Sequence, residues 1–555
     1  METFGIGLIV PAITLMTQSD IFHKYPEILE LYSIIGSPGK NALVISGMLI
    51  LVLVYFLKVA MLAVVAWYQN TFAFKVQMRL SQSLFSIYLH QPYTFHLERN
   101  SGKLIQSIVG EINLFASNGL MAIVILVTEI FTLVAFSILL LIVEPIGTMV
   151  IIIVFSFFSF LFVAFTRKNI ISWGQARQYH DGLGIQSLQE GLGAAKDVKL
   201  LGKETEFLKR YVIHNQSSGR VARLQATLLL MPRLWLELLA VIGLALLTIS
   251  MLMQGKDVLD LFPILGLFAA AAFRLMPSIN RILNSIQNLR FVFPVVDVLS
   301  KEFDLVNTAS FAKDNKKEKV KIFNELQLLN VFYKYPSSSK FSIENISFSI
   351  KNGESIGFIG ASGAGKSTLV DILLGLLYPT SGEILLDGKD VHQNIRIWQK
   401  NIGYVPQFIF LTDDTLRRNV AFGLPEIEID DEAVKSAIKL AQLEDFVAGL
   451  PKGLDTMVGE RGVRLSGGQR QRIGIARALY HDPMVLVLDE ATSSLDTATE
   501  KSVMESVKSL RGNKTIVTVA HRLSTISDCD RLYKLENGFI VDEGSPDYFD
   551  LRRGS

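Results

Sequence analysis

The stretch GASGAGKST at positions 360–368 decides the fold class of the second half of the chain. It matches the pattern G-x-x-x-x-G-K-[ST], whose glycines let backbone N–H groups close around phosphates at a helix N-terminus. The strand-like run 355–359 precedes it and the helical run 369–377 follows, as the pattern requires. We therefore predict a phosphate-binding loop in an α/β domain, with Lys366 on the β- and γ-phosphates and Ser367 on Mg²⁺. The loop residues expected to hold the nucleotide are Gly360, Ser362, Gly363, Gly365, Lys366, Ser367 and Thr368.

A second motif, VLVLDE at positions 485–490, is an apolar strand that ends in two acids. Alone, it is also typical of a core strand with a solvated end. Together with the phosphate loop, it predicts the strand that carries the metal-binding and catalytic carboxylates of an ATPase. We expect Asp489 to hold Mg²⁺, directly or through water, and Glu490 to position and polarise the attacking water. Lys366 completes the catalytic residues predicted from these two motifs.

Length and composition indicate a membrane protein with more than one domain. The chain has 555 residues, half of them hydrophobic, and its mean hydropathy is +0.36, so membrane spans are expected. The net charge of +2 gives no support to a nucleic-acid binder. Cys529 is the single cysteine, which excludes an intrachain disulfide and fits a reducing compartment.

The first half of the chain contains long apolar runs, each close to or above the roughly 20 residues that cross a bilayer. Five such runs within one half are improbable as buried core helices. A sixth run, 4–16, is short, so we expect the chain to begin partway through its first span. The N-terminus lacks a basic region and a cleavage site, and we expect no cleavable signal peptide. The five long runs are 42–67, 119–143, 146–165, 228–253 and 258–276.

The distribution of basic residues predicts the orientation of the spans. The long segments 68–117 and 167–233 are rich in Lys and Arg, whereas the connections 144–145 and 254–257 are very short. By the positive-inside rule, the long segments are cytoplasmic and the short ones external. This gives six spans with both ends inside, in the cytoplasmic membrane, and a cytoplasmic second domain.

The character of the chain changes near residue 300. The stretch after it is charged and is typical of a linker, and short strand-like runs then alternate with helical patterns. We therefore predict a helical membrane domain over residues 1–300, a linker over 301–320 and an α/β ATPase domain over 321–555.

The pentapeptide LSGGQ at positions 465–469 identifies the kind of ATPase. Most phosphate-loop ATPases lack it, and the chain resembles the ATP-binding-cassette (ABC) ATPases here. The resemblance implies that Ser466, Gly467 and Gly468, with Gln469 in the same set, contact the γ-phosphate bound by an opposing subunit. One chain carries one phosphate loop and one signature on different faces. A complete site then needs two chains, most simply a two-fold homodimer.

Further motifs match the same family in order and spacing. The resemblance implies that Gln407 in YVPQ senses Mg²⁺, that His521 in VAHR lies near the γ-phosphate, and that Asp496 in SSLD belongs to the D-loop. Tyr335 matches the aromatic residue that stacks on adenine. Each residue alone is weak evidence, since a lone His or Tyr is usually structural, but the ordered set is specific.

Six spans followed by an ATPase resemble an exporter-type ABC half-transporter. The segments 92–103 and 196–206 resemble the first coupling-helix region and the second intracellular loop, and GERG at 459–462 resembles the loop that meets them. The resemblance implies that ATP closes the ATPase domains and that the loops pass this motion to the spans. The spans exclude a soluble ABC ATPase. A regulator or ATP-gated channel that transports nothing stays open, although Glu490 and LSGGQ argue against it.

Short segments of the membrane domain resemble one subgroup of exporters. They are ETFG at 2–5 with PAIT at 11–14, MPRLWLE at 231–237 and FRLMPSINR at 273–281. The subgroup is the bacterial lipid-linked oligosaccharide flippases of the PglK type. The resemblance implies a polyprenyl-pyrophosphate-linked oligosaccharide as substrate. Export of a drug, a peptide or another lipid is the alternative.

Arginines in or near the apolar runs are candidates for binding the substrate. Arg274 and Arg281 are seven residues apart and therefore share a helix face. Arg233 lies within another apolar run, and intramembrane arginines are costly and usually face a cavity. A pyrophosphate suits bidentate guanidinium contacts, and Arg79 is placed to join them from the cytoplasmic side.

A large polar head cannot cross a bilayer unaided. Each unpaired hydroxyl costs about 4–8 kcal/mol on transfer from water to hydrocarbon, so spontaneous flipping of several sugars is negligible. A dimer with a cationic path would shelter the head. The open alternative is that the arginines reach the interface or pair with acids such as Glu129 or Glu237.

Overall fold

The computed structural model describes residues 40–143, 145–253, 258–307, 323–459, 462–492, 496–519 and 526–549. They form two compact units. The first contains the described residues up to Gln91 and those from Glu98 to Asn307, and the second contains Pro92–Leu97 and those from Phe323 onward. The predicted linker 301–320 falls mostly outside the described residues, so the domain boundaries stay predictions.

The first unit is built from helices, several of which are much longer than a membrane crossing. Two π-helical stretches, Ser107–Glu111 and Phe115–Leu120, continue the helical path between short α-helices, and a 3₁₀ turn, Leu305–Asn307, ends the unit. The α-helices in this part of the chain, of which α2 lies mostly in the second unit, are α1 (Lys40–Leu89), α2 (Tyr93–Glu98), α3 (Ser101–Gln106), α4 (Ile112–Leu114), α5 (Met121–Val143), α6 (Pro145–Gly193), α7 (Ala195–Leu200), α8 (Glu204–Met253) and α9 (Val258–Asp304).

The described part of the chain contains 5 helical segments that are long and apolar enough to cross a membrane. Four of these segments contain most of the first four apolar runs. The fifth, Leu275–Asn307, overlaps the run 258–276 only at its end, although that run is helical within α9. Because about 20 residues suffice for a crossing, helices of 49 and 50 residues such as α6 and α8 extend well beyond the bilayer. The short predicted span 4–16 lies outside the described residues.

A close approach between α6 and α9 fixes their packing. A Cβ atom at Gly174 would collide with the backbone carbonyl of Phe291, so only glycine permits the approach. Ile170, Val221 and Phe291 form a buried cluster beside it. The two helices and α8 are therefore held by apolar packing below the predicted membrane level.

A buried ion pair joins the first π-helical stretch to α6. Arg177 Nη2 lies 2.7 Å from Glu111 Oε2, with side-chain exposures of 12% and 2%. Arg177 also contacts Asp181 at 3.1 Å, and Gln106 Nε2 donates a 2.9 Å hydrogen bond to Glu111. Buried charges require such partners, so these residues tie the two elements together.

Polar contacts hold the end of α1 against the end of α9. The Tyr88 hydroxyl donates a 2.9 Å hydrogen bond to Glu302, and Arg99 forms an ion pair of 2.7 Å with the same carboxylate. Of the intervening α2, residues Tyr93–Leu97 belong to the second unit and Glu98 belongs to the first. The role of segment 92–103 in coupling stays a prediction.

The second unit is an α/β domain with two sheets. An antiparallel sheet has the order β2-β1-β4-β5, and a six-stranded sheet has the order β10-β9-β3-β8-β7-β6. In the larger sheet only β10 is antiparallel. The strands are β1 (Glu325–Tyr333), β2 (Ile343–Lys351), β3 (Ser355–Ile359), β4 (Ser381–Leu386), β5 (Lys389–Asp390), β6 (Ile402–Val405), β7 (Val485–Asp489), β8 (Thr515–Val519), β9 (Arg531–Glu536) and β10 (Phe539–Gly544).

The central strands are buried on both faces, which explains their continuous apolar sequences. Phe358 of β3 and Leu369 pack in a core between the two sheets, whereas Leu486 of β7 and Ile473 pack in a second core with the remaining helices. The helices are α10 (Lys366–Leu373), α11 (Ile395–Gln399), α12 (Leu416–Val420), α13 (Asp431–Leu440), α14 (Glu444–Ala448), α15 (Gly467–Leu479) and α16 (Thr497–Lys508).

Candidate functional site

The predicted phosphate loop connects β3 to α10, as the sequence pattern required. Gly360, Gly363 and Gly365 have φ angles of 151°, 82° and 103°, a region that side chains disfavour. A Cβ atom at Gly360 would also collide with the carbonyl oxygen of Leu535. The glycines therefore permit the turn that aims the backbone at the start of α10.

Lys366 opens α10 and folds back over the loop. Its Nζ donates hydrogen bonds of 2.7 Å to the Gly360 carbonyl and 2.9 Å to the Ala361 carbonyl, and the residue is only 6% exposed. Burial lowers the pKa of Lys366, while the nearby Glu490 and Asp489 act in the opposite direction. The ammonium is thus held where a phosphate would replace the two carbonyls.

Tyr335 lies beside the same loop. Its hydroxyl is 3.2 Å from Thr368 Oγ1, and its ring meets that of Tyr333 edge to face at 5.0 Å. The predicted adenine-stacking residue is therefore anchored to the phosphate loop through Thr368.

Asp489 stands at the end of β7, separated from β3 in the sheet only by β8. Burial and the neighbouring Glu490 raise the pKa of Asp489. The Tyr404 hydroxyl donates a 3.4 Å hydrogen bond to Asp489 Oδ2. This bond favours the ionised carboxylate, which is the form that binds a metal.

Sequence reasoning missed Tyr404 and Asp371. Asp371 lies on α10, and burial together with the charge of Asp489 raises its pKa to about 6. Two features of the sequence could have identified these residues. Tyr404 precedes Gln407 by three residues and lies on the strand that pairs with β7. Asp371 follows Ser367 by one helical turn.

Glu490 follows β7 in a backbone conformation with φ of 49°. Its amide donates a 2.9 Å hydrogen bond to the Val519 carbonyl of β8, and Gln407 Nε2 donates a 2.6 Å hydrogen bond to Glu490 Oε2. The structure therefore brings together two residues that lie 83 positions apart in sequence.

Lys366, Gln407 and Glu490 line one open cleft of about 820 Å³, whereas Tyr335 and Asp489 are not among its walls in the described part of the chain. Its walls include the loop residues Ser362, Gly363 and Gly365–Thr368, together with Gln407 and Glu490. This volume is within the range of small-molecule sites, and the mixture of backbone amides, an ammonium and carboxylates suits a triphosphate with a divalent cation.

The signature residues form a separate feature. Ser466 caps the N-terminus of α15: its Oγ accepts from the Gln469 amide at 3.2 Å, and Gln469 Oε1 accepts from the Ser466 amide at 2.8 Å. Gly467 and Gly468 form the first turn of this helix, whose N-terminus favours an anion. Among the described residues, the walls of the cleft contain none of these four.

Some predicted site residues lie outside the described part of the chain. They are His521, the D-loop residues 493–495, residues 460–461 of the GERG segment and the side chain of Arg274. Asp496 is described and exposed, and its carbonyl accepts a 2.8 Å hydrogen bond from the Glu500 amide.

Two of the candidate substrate arginines are paired with acids, the alternative left open above. Arg281 Nε lies 2.6 Å from Glu129 Oε1, and Arg233 Nε lies 2.9 Å from Glu237 Oε1. Arg79 is exposed on α1. Arg233 on α8 and Arg281 on α9 thus each lie beside a carboxylate.

Comparison with known proteins covers both units. Residues 17–271 match the family pattern described as "ABC transporter transmembrane region", and residues 343–493 match that described as "ABC transporter". A solved structure described as a bacterial Atm1-family ABC exporter with ATP bound superimposes with a TM-score of 0.77 at 23% identity, over 100% of this chain and 96% of the other.

Relatives of known name are similar along most of the chain. The ATP-dependent lipid A-core flippase of Ralstonia nicotianae is 30% identical over 474 residues, which is 85% of this chain and 79% of the relative. The flippase of the same name from Photobacterium profundum is 30% identical over 493 residues, or 85% and 80%. These relatives differ in name from the oligosaccharide flippases that the short segments resemble.

The comparisons therefore confirm the predicted fold class. They also confirm the prediction of an ATP-dependent translocase, a chain that binds ATP and crosses the membrane several times. An exporter half-transporter carries one membrane domain and one ATPase domain, so its architecture implies dimerisation. The chain belongs to the ABC transporter family, as an ATP-driven exporter of the half-transporter type.

Proposed function

We propose that this exporter is a homodimer that flips a polyprenyl-pyrophosphate-linked oligosaccharide, or a related glycolipid, across the cytoplasmic membrane. The observation that carries the proposal is the ion pair between Arg281 and Glu129 in the membrane domain. Relatives named as lipid A-core flippases support a lipid substrate, and the segments at 231–237 and 273–281 favour the oligosaccharide class.

The Arg281–Glu129 pair has the geometry of an exchangeable anion site. Two contacts join the side chains, Nε to Oε1 at 2.6 Å and Nη2 to Oε2 at 3.2 Å. Glu129 lies within the apolar run 119–143, with its side chain 13% exposed, whereas that of Arg281 is 45% exposed. A pyrophosphate presents the same paired oxygens as a carboxylate and carries more charge, so it would compete with Glu129 for the guanidinium.

The ATP site supports hydrolysis coupled to this movement. The phosphate loop from Gly360 to Thr368 and Lys366 would hold the triphosphate, and Mg²⁺ would be held by Ser367, Asp489 and Gln407. Bound Mg²⁺ supplies charge neutralisation on the β- and γ-phosphates. Glu490 would orient and polarise the attacking water, while its hydrogen bond from Gln407 holds the carboxylate in place.

The remaining predicted residues complete the site from two copies. Tyr335 would stack on adenine, His521 would contact the γ-phosphate, and Asp496 would lie at the seam between the ATPase domains. The signature residues Ser466 to Gln469 of the second copy would cover the γ-phosphate, because they are absent from the walls of the cleft in the described part of one chain.

Reconstitution with a fluorescent lipid-linked glycan tests the proposed substrate. We expect ATP-dependent flipping in proteoliposomes that Arg281→Ala and Arg274→Ala reduce at least about tenfold, with basal ATPase activity kept. Arg210→Ala is the matched control, because Arg210 lies on the exposed part of α8 over the ring of Phe207. Unchanged flipping in both variants would contradict the anion-site argument.

The same assay separates the competing functions. Stimulation of the ATPase by a drug or peptide and not by the glycolipid would identify a different exporter. ATP hydrolysis without movement of any labelled lipid would favour an ATP-gated regulator.

A further inference from the structure

Four amide side chains lie along one face of α9. Asn280, Asn284, Gln287 and Asn288 span about 100° of the helix circumference at 100° per residue. Each has a buried side-chain oxygen with no hydrogen-bond partner among the residues that the structure describes. Gln287 is 3% exposed, and its amide nitrogen also lacks a partner within that part of the chain.

The depth of these amides follows from the residues on the opposite face of α9. Ile282 and Ile286 line an apolar cavity of about 330 Å³ with Phe155 and Val163 of α6. Phe155 and Val163 belong to the apolar run 146–165 and lie about 15–27 Å along α6 from its external end. The amides therefore lie level with the cytoplasmic half of the apolar run 146–165, although the apolar run of α9 itself ends at residue 276.

Unpaired amides at this depth need a partner that is not part of the described chain. A buried amide without a hydrogen bond loses its solvation and gains nothing in return. Polar residues inside a membrane domain usually mark the path of a substrate. Five orphaned atoms within nine residues of one helix therefore favour one common occupant over unrelated defects.

The chemistry of the orphaned atoms limits that occupant. Four are carbonyl oxygens, which accept hydrogen bonds, and one is an amide nitrogen, which donates. A pyrophosphate only accepts hydrogen bonds, so in the described orientation of the amides it would satisfy the nitrogen and leave the four oxygens unpaired. Sugar hydroxyls donate and accept, and a glycan presents several of them along one edge.

We propose that the amide face of α9, formed by Asn280, Asn284, Gln287 and Asn288, binds the sugar hydroxyls of the transported lipid. This inference rests on the proposed glycolipid substrate and assigns its two chemical parts to neighbouring positions. Arg281 takes the anion, and the amide face takes the first sugars. The protein then distinguishes a glycosylated lipid from the same lipid without sugars.

Thermal unfolding of the dimer in lipid nanodiscs tests the inference. The variants are Asn284→Leu, Gln287→Leu and both together, which replace amides by apolar groups of similar size. Asn169→Leu on α6 is the matched control, because Asn169 is exposed. The probes are a polyprenyl-pyrophosphate oligosaccharide and the polyprenyl pyrophosphate without sugars.

We expect the variants to raise the unfolding midpoint of the lipid-free dimer by a few degrees, because they remove orphaned polar atoms. The glycolipid should stabilise the wild type more than the sugar-free lipid does. In the double variant this difference should vanish, with at least a tenfold loss of glycolipid affinity. The control variant should retain both the difference and the affinity.

Each other outcome overturns a separate statement. A wild type that responds to neither lipid contradicts the proposed function and the inference with it. A double variant that still prefers the glycolipid contradicts the amide face alone. A lowered unfolding midpoint in the variants would show that the second subunit pairs these amides. Stabilisation by a cationic amphiphile, lost in the variants, would identify an amine as the occupant.

Discussion

Gln407 Nε2 lies 2.6 Å from Glu490 Oε2. A side chain just after β6 therefore holds the carboxylate that directly follows β7. A hydrogen bond to a charged group is worth about 1.5–3 kcal/mol. The bond holds Glu490 in the cleft that residues of the phosphate loop also line, so a movement of Gln407 would change the position of the carboxylate. We infer that Gln407 makes hydrolysis depend on the position of its own loop.

Replacing either partner should therefore reduce hydrolysis and leave nucleotide binding largely intact. We expect Glu490→Gln to lower the ATPase rate by about 10²–10⁴-fold, the range for general-base catalysis, and Gln407→Ala to lower it by about tenfold. A fluorescent ATP analogue measures the retained affinity. Gln393→Ala, at an exposed position, is the control. A Gln407→Ala variant with wild-type turnover would show that the bond has no catalytic consequence.

Tyr404→Phe should weaken the metal dependence of the site. The variant removes the hydrogen bond to Asp489 Oδ2, which stabilises the ionised carboxylate by about 0.5–1.5 kcal/mol. The Mg²⁺ concentration needed for activity should therefore rise by roughly 2–10-fold. Because that bond favours the ionised carboxylate, its loss raises the pKa of Asp489 further. The acidic limb of the activity profile should then move to higher pH. Titration of Mg²⁺-dependent nucleotide binding gives a second readout, and equal Mg²⁺ requirements in both proteins would refute the assignment.

Mixing two inactive variants tests whether the site is shared between copies. Lys366→Ala destroys the phosphate loop, and Ser466→Arg blocks the signature. In a mixed dimer one composite site combines the intact loop of one chain with the intact signature of the other. We expect each variant alone to be inactive and ATPase activity to return when they are co-expressed. Continued inactivity of purified mixed dimers would speak against composite sites, provided that mixed wild-type dimers are active.

Arg177→Met should be strongly destabilising. The variant leaves Glu111, whose side chain is 2% exposed, without its cation, and breaking a buried pair costs about 3–5 kcal/mol. Lys301→Ala is the control, because its pair with Asp297 is exposed and should be worth less than about 1 kcal/mol. Adding Glu111→Gln to Arg177→Met should recover stability, since the uncompensated charge is gone. Equal unfolding midpoints for the variant and the control would be inconsistent with this account.

Cys529 should resist labelling in the folded protein. It is 3% exposed, and burial raises its thiol pKa to about 11, so only about one part in a thousand is thiolate at pH 8. The labelling rate should rise with pH toward 11 and increase sharply on unfolding. A Ser339→Cys variant, exposed in the loop before β2, should gain one rapidly labelled thiol. Rapid labelling of the wild type at pH 8 would contradict the described packing of this cysteine.

Motifs with short, fixed spacing were predictable from sequence. The loop at 360–368 required a strand before it and a helix after it, and both are present, because the glycine conformations and the helix N-terminus are local properties. The strand at 485–489 was also predictable, since a buried parallel strand has a continuous apolar sequence. The five long apolar runs were recognisable for the same reason: the bilayer imposes their length and composition.

Long-range contacts between side chains were less predictable. Tyr404 and Asp371 belong to the site only because the sheet order brings β6 and α10 beside β7. The acids that pair with the arginines were named only as an alternative, and helix packing selects them. The orphaned amides of α9 could not be recognised from spacing alone, because burial without a partner is a property of the packed bundle.

The uninterrupted length of α6 has a mechanical consequence. At 49 residues it is about 74 Å long, and it passes from the end of the membrane region predicted to be external to the turn at Ala194, which is predicted to be cytoplasmic. A rigid rod acts as a lever: about Gly174, the arm to Pro145 is about 44 Å long, so a tilt of about 5° displaces that end by about 4 Å. Gly174 places the fulcrum where α6 meets α9. A small angular change near the fulcrum is then amplified into a displacement of several ångströms at the end of the helix.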